Sequence, residues 1–158
     1  MALSVYLDTS TISAYDDERV PEFRDLTRQW LAKPGVDYKY FISRLVIEEI
    51  EDTHNSERKK QMLGLVKQRK FEVLKFETGI GFLADTYINV GVLPRNSLAD
   101  AVHLAYATMY KIDYVVSWNF RHLVNEHRSR AFWHHNLQKG LHLPKIVSPG
   151  TLLEGPYI

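Results

Sequence analysis

Three acids and an amide, Asp8, Glu49, Asp100 and Asn119, stand where apolar runs end or helices begin, although they are spread over most of the chain. Asp8 closes the apolar run in VYLDTSTIS. Glu49 lies in FISRLVIEEIED, Asp100 in NSLADAVHLAYA and Asn119 in YVVSWNFRHL, where an apolar run again meets a polar turn. In an open parallel sheet, residues just past the carboxyl ends of the strands converge on one crevice, so positions scattered in this way can meet in space. Carboxylates brought together repel unless a cation lies between them, which points to a metal site of hard oxygen ligands.

Each residue also has an ordinary role to be weighed against that chemistry. Asp8 follows a strand that should be central, and Thr9, Ser10 and Thr11 after it offer oxygen ligands or helix-capping hydroxyls. Glu49 has Glu48 and Glu51 as rivals, and a solvated surface acid is the default for any of them. Ser97 and Asp100 fit a capping box, in which the acid would serve its own helix. At about 100° per residue, Leu98, Val102, Ala105 and Met109 form an expected core stripe on that helix, with Asp100, His103, Leu104 and Ala107 on a second face. Asn119 fits a turn as readily as a ligand set.

The elements that must position these residues alternate. Strands are expected at 3–7, 38–42, FEVLKF, DYVVSW and KIVS. Helices are expected at 21–33, at 44–68 with a break near His54-Asn55-Ser56, and at 79–90, 97–111 and 121–136. Strands alternating with helices through short links imply a mostly parallel sheet covered on both faces, a three-layer α/β/α arrangement. No repeat or linker divides the chain, so one domain over 1–158 is expected.

Composition narrows the chemistry further. A chain of 158 residues buries roughly two-thirds of its unfolded surface on folding. The absence of cysteine removes disulfides, thiolate zinc sites and cysteine nucleophiles, and fits a reducing cytoplasm. Asp8 arrives before a signal-peptide core could form, and no apolar run reaches the roughly 20 residues of a membrane span, so a soluble chain is expected. The net charge of +1 hides two basic clusters, Arg58 to Lys70 and Arg121 to Arg130. Such clusters beside an acidic site suit a polyanion, and each is equally well read as a solvated helix face. The histidines show no zinc-hydrolase spacing, His134-His135 reads as surface, and no P-loop is present.

Taken in order, YLDTSTIS, ISRLVIEEI, LADAVHLAYA and VVSWNFRHL, followed by KIVSPGTLL, resemble the PIN-domain family of the VapC-like ribonuclease toxin type. The resemblance covers nearly the whole chain. The chain departs from it at Asn119, where many members carry an aspartate. It implies a PIN-like fold and an endoribonuclease that uses Mg²⁺ or Mn²⁺, with Asp8, Glu49 and Asp100 as ligands. Asn119 would be an amide ligand or would orient metal-bound water, Ser10 and Ser117 would support the ligands, and Arg95 and Arg121 would hold RNA phosphates. The implied partners are an RNA substrate and a small antitoxin protein, with homodimer formation left open. Two other readings stay open: an RNA-binding module that cleaves weakly because of Asn119, and a metal-dependent phosphatase or nuclease with another substrate. Haloacid-dehalogenase-type phosphatases fit less well, because their second acid is Ser10 here.

Overall fold

Short apolar tracts rich in Val, Ile, Tyr and Phe pair only with partners brought to them by crossovers, since parallel neighbours cannot be joined by a tight turn. The computed structural model describes residues 2–155, so Met1 and residues 156–158 of the expected domain lie outside the described residues. Its strands are β1 (Leu3–Leu7), β2 (Tyr38–Ser43), β3 (Glu72–Leu74), β4 (Tyr114–Val116) and β5 (Lys145–Val147). The helices are α1 (Thr9–Ala14), α2 (Pro21–Ala32), α3 (Arg44–Glu51), α4 (Ser56–Arg69), α5 (Thr78–Asn89), α6 (Leu98–Met109), α7 (Glu126–Gln138) and α8 (Pro149–Glu154).

The sheet order is β3-β2-β1-β4-β5, with every pairing parallel. The chain builds outward from β1 through β2 to β3, then returns to β1's other side with β4. Strand order therefore reverses at β1 and β4, and the crevice beyond their carboxyl ends is where such sheets place ligands. Val5, Tyr6 and Leu7 of β1 and all three residues of β4 are buried, as central strands covered on both faces must be. On one side α1 packs on α2 and α4, and α2 on α8. On the other, α5 packs along α6, and Tyr87 of α5 meets Phe132 and His135 of α7 edge-on.

Several expected boundaries and faces change. Helices α1 and α8 were not expected; both are short and start at capped polar residues, Asp8 and Ser148, which sequence periodicity over so few residues cannot register. β3 and β4 keep only the inner residues of the tracts FEVLKF and DYVVSW. The last long helix starts at Glu126 rather than 121, because the Asn119 carbonyl accepts from the Leu123 and Val124 amides and Asn125 caps the helix by accepting from Arg128 N–H. The expected core stripe of α6 is also corrected. Leu98 and Met109 are 50% and 43% exposed, whereas Ala101, Leu104, Ala105 and Thr108 are buried. The helix is apolar on most sides, so periodicity leaves its phase open and packing against α5 and the sheet decides it. His135 is buried rather than on the surface.

Polar groups inside the second helical layer are tied to one another. The Tyr87 hydroxyl donates to Asn136 Oδ1 at 2.7 Å and lies 3.0 Å from Thr108 Oγ1, while Asn136 Nδ2 donates to the His142 carbonyl. Burial pushes the Tyr87 phenol up to about 12, partly offset by Thr108 and Asn136, so it remains a neutral donor. Replacing Tyr87 with Phe strands the Asn136 acceptor inside the protein. The expected loss is about 1–3 kcal/mol of unfolding free energy, read from the urea midpoint at unchanged slope; an unshifted midpoint would remove this bond from the fold's stability.

Candidate active site

Asp8 is the most enclosed of the three acids, only 4% exposed. It ends β1 in extended conformation and caps α1, accepting from Thr11 N–H at 3.1 Å. The same oxygen accepts from Ser10 Oγ at 2.6 Å and Thr11 Oγ1 at 3.2 Å, and the other from Ser117 Oγ at 2.5 Å. The two serines also accept from the loop that leaves β4: Trp118 N–H donates to Ser10 Oγ and Asn119 N–H to Ser117 Oγ, each at 2.9 Å. A buried carboxylate is tolerable only with such a donor set.

Glu49 reaches the crevice from α3, whose amino end is capped by Ser43 Oγ. Its Oε1 accepts from Thr9 Oγ1 at 2.7 Å and from His103 Nε2 at 2.9 Å. Its rivals turn away: Glu48 pairs with Arg44 on the exposed side, and Glu51 is exposed. His103 Nδ1 lies 2.6 Å from the Tyr6 hydroxyl, which lies 2.7 Å from Ser43 Oγ. Nε2–H donates to Glu49, and the Tyr6 hydroxyl bridges Nδ1 and the Ser43 hydroxyl. Burial pushes the Glu49 carboxyl up, but the hydrogen bond and charge of His103 with the Thr9 hydroxyl outweigh it and leave the group below its ordinary value.

Asp100 comes from the first turn of α6, and the expected capping box does not form. Ser97 makes no side-chain cap bond; its Oγ lies 3.1 Å from His122 Nδ1 instead. Asp100 is thereby released to the crevice. Its Oδ1 accepts from Asn119 Nδ2 at 3.3 Å and its Oδ2 from His122 Nδ1 at 3.2 Å. Asn119 fills its turn role at the same time, since its Oδ1 accepts from His122 N–H at 3.0 Å. Burial raises the Asp100 carboxyl above its ordinary value; the charges of His103 and His122 oppose this, and the nearby charge of Asp8 adds to it.

Asp8, Asn119, Asp100, Ser10 and Ser117 are thus joined by one hydrogen-bond network, and Glu49 enters beside them through Thr9. Sequence reasoning gave no role to Tyr6, Ser43, His103 or His122. The signals that existed were the position of His103 on Asp100's helix face and the short step from Asn119 to His122. Arg95 and Arg121 are exposed. Some cations of the basic clusters serve the fold: Arg58 donates to the Ser13 carbonyl and hydroxyl, Arg69 to the Leu31 carbonyl and Arg128 to the Val92 carbonyl.

The donor set suits a hard cation, with carboxylate and hydroxyl oxygens and a half-buried acid destabilised in its charged form mainly by burial and, to a smaller extent, by the charge of Asp8. Among the described residues, no three acidic or histidine side chains close into a ready-made cage. Mg²⁺ needs none, because it keeps several waters and uses one or two carboxylates.

No protein-family model matches the sequence. No curated protein matches it either. Solved structures do match, at low identity. VapBC-1 of nontypeable Haemophilus influenzae is 12% identical with a TM-score of 0.57, over 93% of this chain and 98% of that one. FitAcB of Neisseria gonorrhoeae is 16% identical with a TM-score of 0.57, over 92% and 97%. Mycobacterium tuberculosis VapC20, described as a sarcin-ricin loop cleaving toxin, is 17% identical with a TM-score of 0.56, over 74% and 91%. These neighbours are VapC-type PIN-domain toxins and their complexes, and the chain has their three-layer fold.

The raised Asp100 carboxyl makes a signed prediction. A group whose folded pKa exceeds its unfolded one favours the folded state when protonated, and that contribution is lost as pH rises through the folded pKa. In EDTA at neutral pH, Asp100→Asn should therefore melt above the parent chain. The gap should shrink as the pH falls toward about 4, where an unfolded carboxyl begins to take up its own proton. A variant that melts below the parent at neutral pH would show that His122 and Asn119 stabilise the charge by more than burial opposes it.

Proposed function

We propose that the chain is a divalent-metal-dependent endoribonuclease, the toxin of a toxin–antitoxin pair, that hydrolyses RNA phosphodiester bonds in the cytoplasm. The observation that carries this reading is the delivery of Asp8, Glu49 and Asp100, from β1, α3 and α6, to the switch-point crevice of a fold shared with VapC toxins. An antitoxin partner is supported by neighbours solved as toxin–antitoxin complexes.

Mg²⁺ or Mn²⁺ fits the oxygen donors of Asp8, Glu49 and Asp100, and when bound it would lower the pKa of a water and stabilise charge growing on the phosphate. The chain's own groups do the rest. Ser10, Thr11 and Ser117 fix the Asp8 carboxylate through hydrogen bonds, so its remaining lone pairs keep one direction. Thr9 and His103 hold one oxygen of Glu49 and orient the other. Asn119 orients Asp100 through its amide nitrogen, a role beside the two expected for it, amide ligand and orienter of metal-bound water. Ser10 and Ser117 give their protons to Asp8, which leaves neither poised as a nucleophile, and an activated water suits the site better. Arg95 and Arg121, both exposed, are the groups for RNA phosphates.

One observation favours the weaker-cleaving reading. Both oxygens of Asp100 are already engaged, by Asn119 and His122, and a ligand must loosen those contacts to use them. Cleavage of structured RNA in Mn²⁺ against EDTA separates the two readings.

In that assay Asp100→Asn is expected to lower the rate by at least about a hundredfold. Because Asp100 does not cap α6, a folded variant with full activity would sink the assignment. Mn²⁺ should also raise the melting temperature of the parent chain more than that of Asp8→Asn, since a ligand stabilises the state that binds it. Equal shifts would place the ion elsewhere.

A further inference from the structure

The loop that leaves β4 carries an aromatic cluster beside the crevice that the reaction chemistry does not use. Trp118 is nearly buried, stacks on Phe23 with ring centroids 4.1 Å apart and planes 8° from parallel, and donates from its indole N–H to Thr27 Oγ1 at 2.8 Å. Phe120 leans on both rings, 5.9 Å from each, at 66° to Trp118 and 58° to Phe23. Neither neighbour stacks on it face to face, and 47% of the residue remains exposed.

The mount is rigid. Phe120 N–H donates to the Trp118 carbonyl at 3.0 Å, and Asn125 Nδ2 donates to the Phe120 and Arg121 carbonyls at 2.9 and 2.8 Å. Its position is set by its chain neighbours. Asn119 touches Asp100 on one side, and the exposed cation Arg121 follows on the other. A half-exposed aromatic ring fixed between a phosphate-handling site and a cation is the arrangement by which proteins hold unpaired bases, since every base has a π-face and every nucleotide a charge.

We infer that Phe120 is a stacking platform for an unpaired nucleobase adjoining the phosphate held at Asp8, Glu49 and Asp100. The inference rests on the ribonuclease reading above. Stacking is tolerant of base identity, so Phe120 sets where a single strand lies and requires that the nucleotide there be splayed out of any helix.

The test measures binding of a short single-stranded RNA oligonucleotide in an Asp100→Asn background with Mn²⁺, so that affinity is read without cleavage. It is repeated with a series of oligonucleotides that each carry one abasic nucleotide at successive positions. Phe120→Ala should weaken binding of the intact strand about tenfold, Phe120→Leu nearly as much, and Phe120→Trp should retain it. Phe82→Ala, which removes an aromatic ring 69% exposed on α5, should leave affinity unchanged. One abasic position should cost the parent what Phe120→Ala costs, and cost that variant nothing more. Melting temperatures of all variants are measured alongside, and Phe120→Leu keeps an apolar side chain over Trp118 if the alanine variant unfolds. Unchanged affinity in Phe120→Leu, or an abasic penalty that persists in it, would overturn the platform while leaving the ribonuclease reading standing. Absence of RNA binding by the parent would overturn both.

Discussion

The rest of the site depends on one buried carboxylate. Asp8 joins the end of β1 to the end of β4: its oxygens take the Ser10 and Ser117 hydroxyls, and those hydroxyls accept the Trp118 and Asn119 amides. Enclosing an ionised group costs several kcal/mol unless donors replace its water, so the hydroxyls of Ser10, Thr11 and Ser117 are required by the fold itself. The backbone bond from Asp8 N–H to the Val116 carbonyl fixes the same junction. A register slip between β1 and β4 would take the Ser117 hydroxyl from the buried Asp8 and leave it only the Ser10 and Thr11 donors of its own segment, so this residue favours the correct strand alignment as well as being a candidate ligand.

Asp100 shows how a local motif yields to tertiary contacts. Ser97 and Asp100 have capping-box spacing, yet His122 from the loop after β4 lies against Ser97 and takes up Asp100. The acid is thereby turned from its own helix toward the sheet, where it adds to the charge around Asp8. His103, one turn further along α6, plays the matching part for Glu49 and is held by the buried Tyr6 hydroxyl. Each of these two acids has an imidazole beside it, so the protein holds clustered carboxylates in place before any cation arrives. That arrangement separates the cost of folding from the act of binding.

The loop between β4 and α7 gathers the remaining functions. Asn119 serves as turn former and as partner of Asp100, Trp118 packs into the aromatic cluster, Phe120 stays half exposed and Asn125 starts the helix while holding two loop carbonyls. So many backbone bonds in so short a segment make it a fixed edge of the crevice rather than a mobile flap.

Much of this was legible in the residues alone. Asp8 was recognisable because an acid directly after a buried apolar strand has few places to go, and the alternation of strands and helices required a parallel sheet whose carboxyl ends share a crevice. Other features were not legible. Glu49 is distinguished from Glu48 and Glu51 only by the Thr9 and His103 side chains that meet it, and both lie far from it in sequence. The burial phase of α6 was decided by α5 and the sheet, since a helix apolar on most sides carries no unique stripe. The histidines at 103 and 122 are single residues without metal-ligand spacing, and their roles exist only through contacts made by folding. Sequence determined which groups had to be buried and at which ends of the strands they emerge, because period and polarity are local properties. Which acid faces which partner was decided by tertiary structure, because such pairings depend on distances that no local pattern encodes.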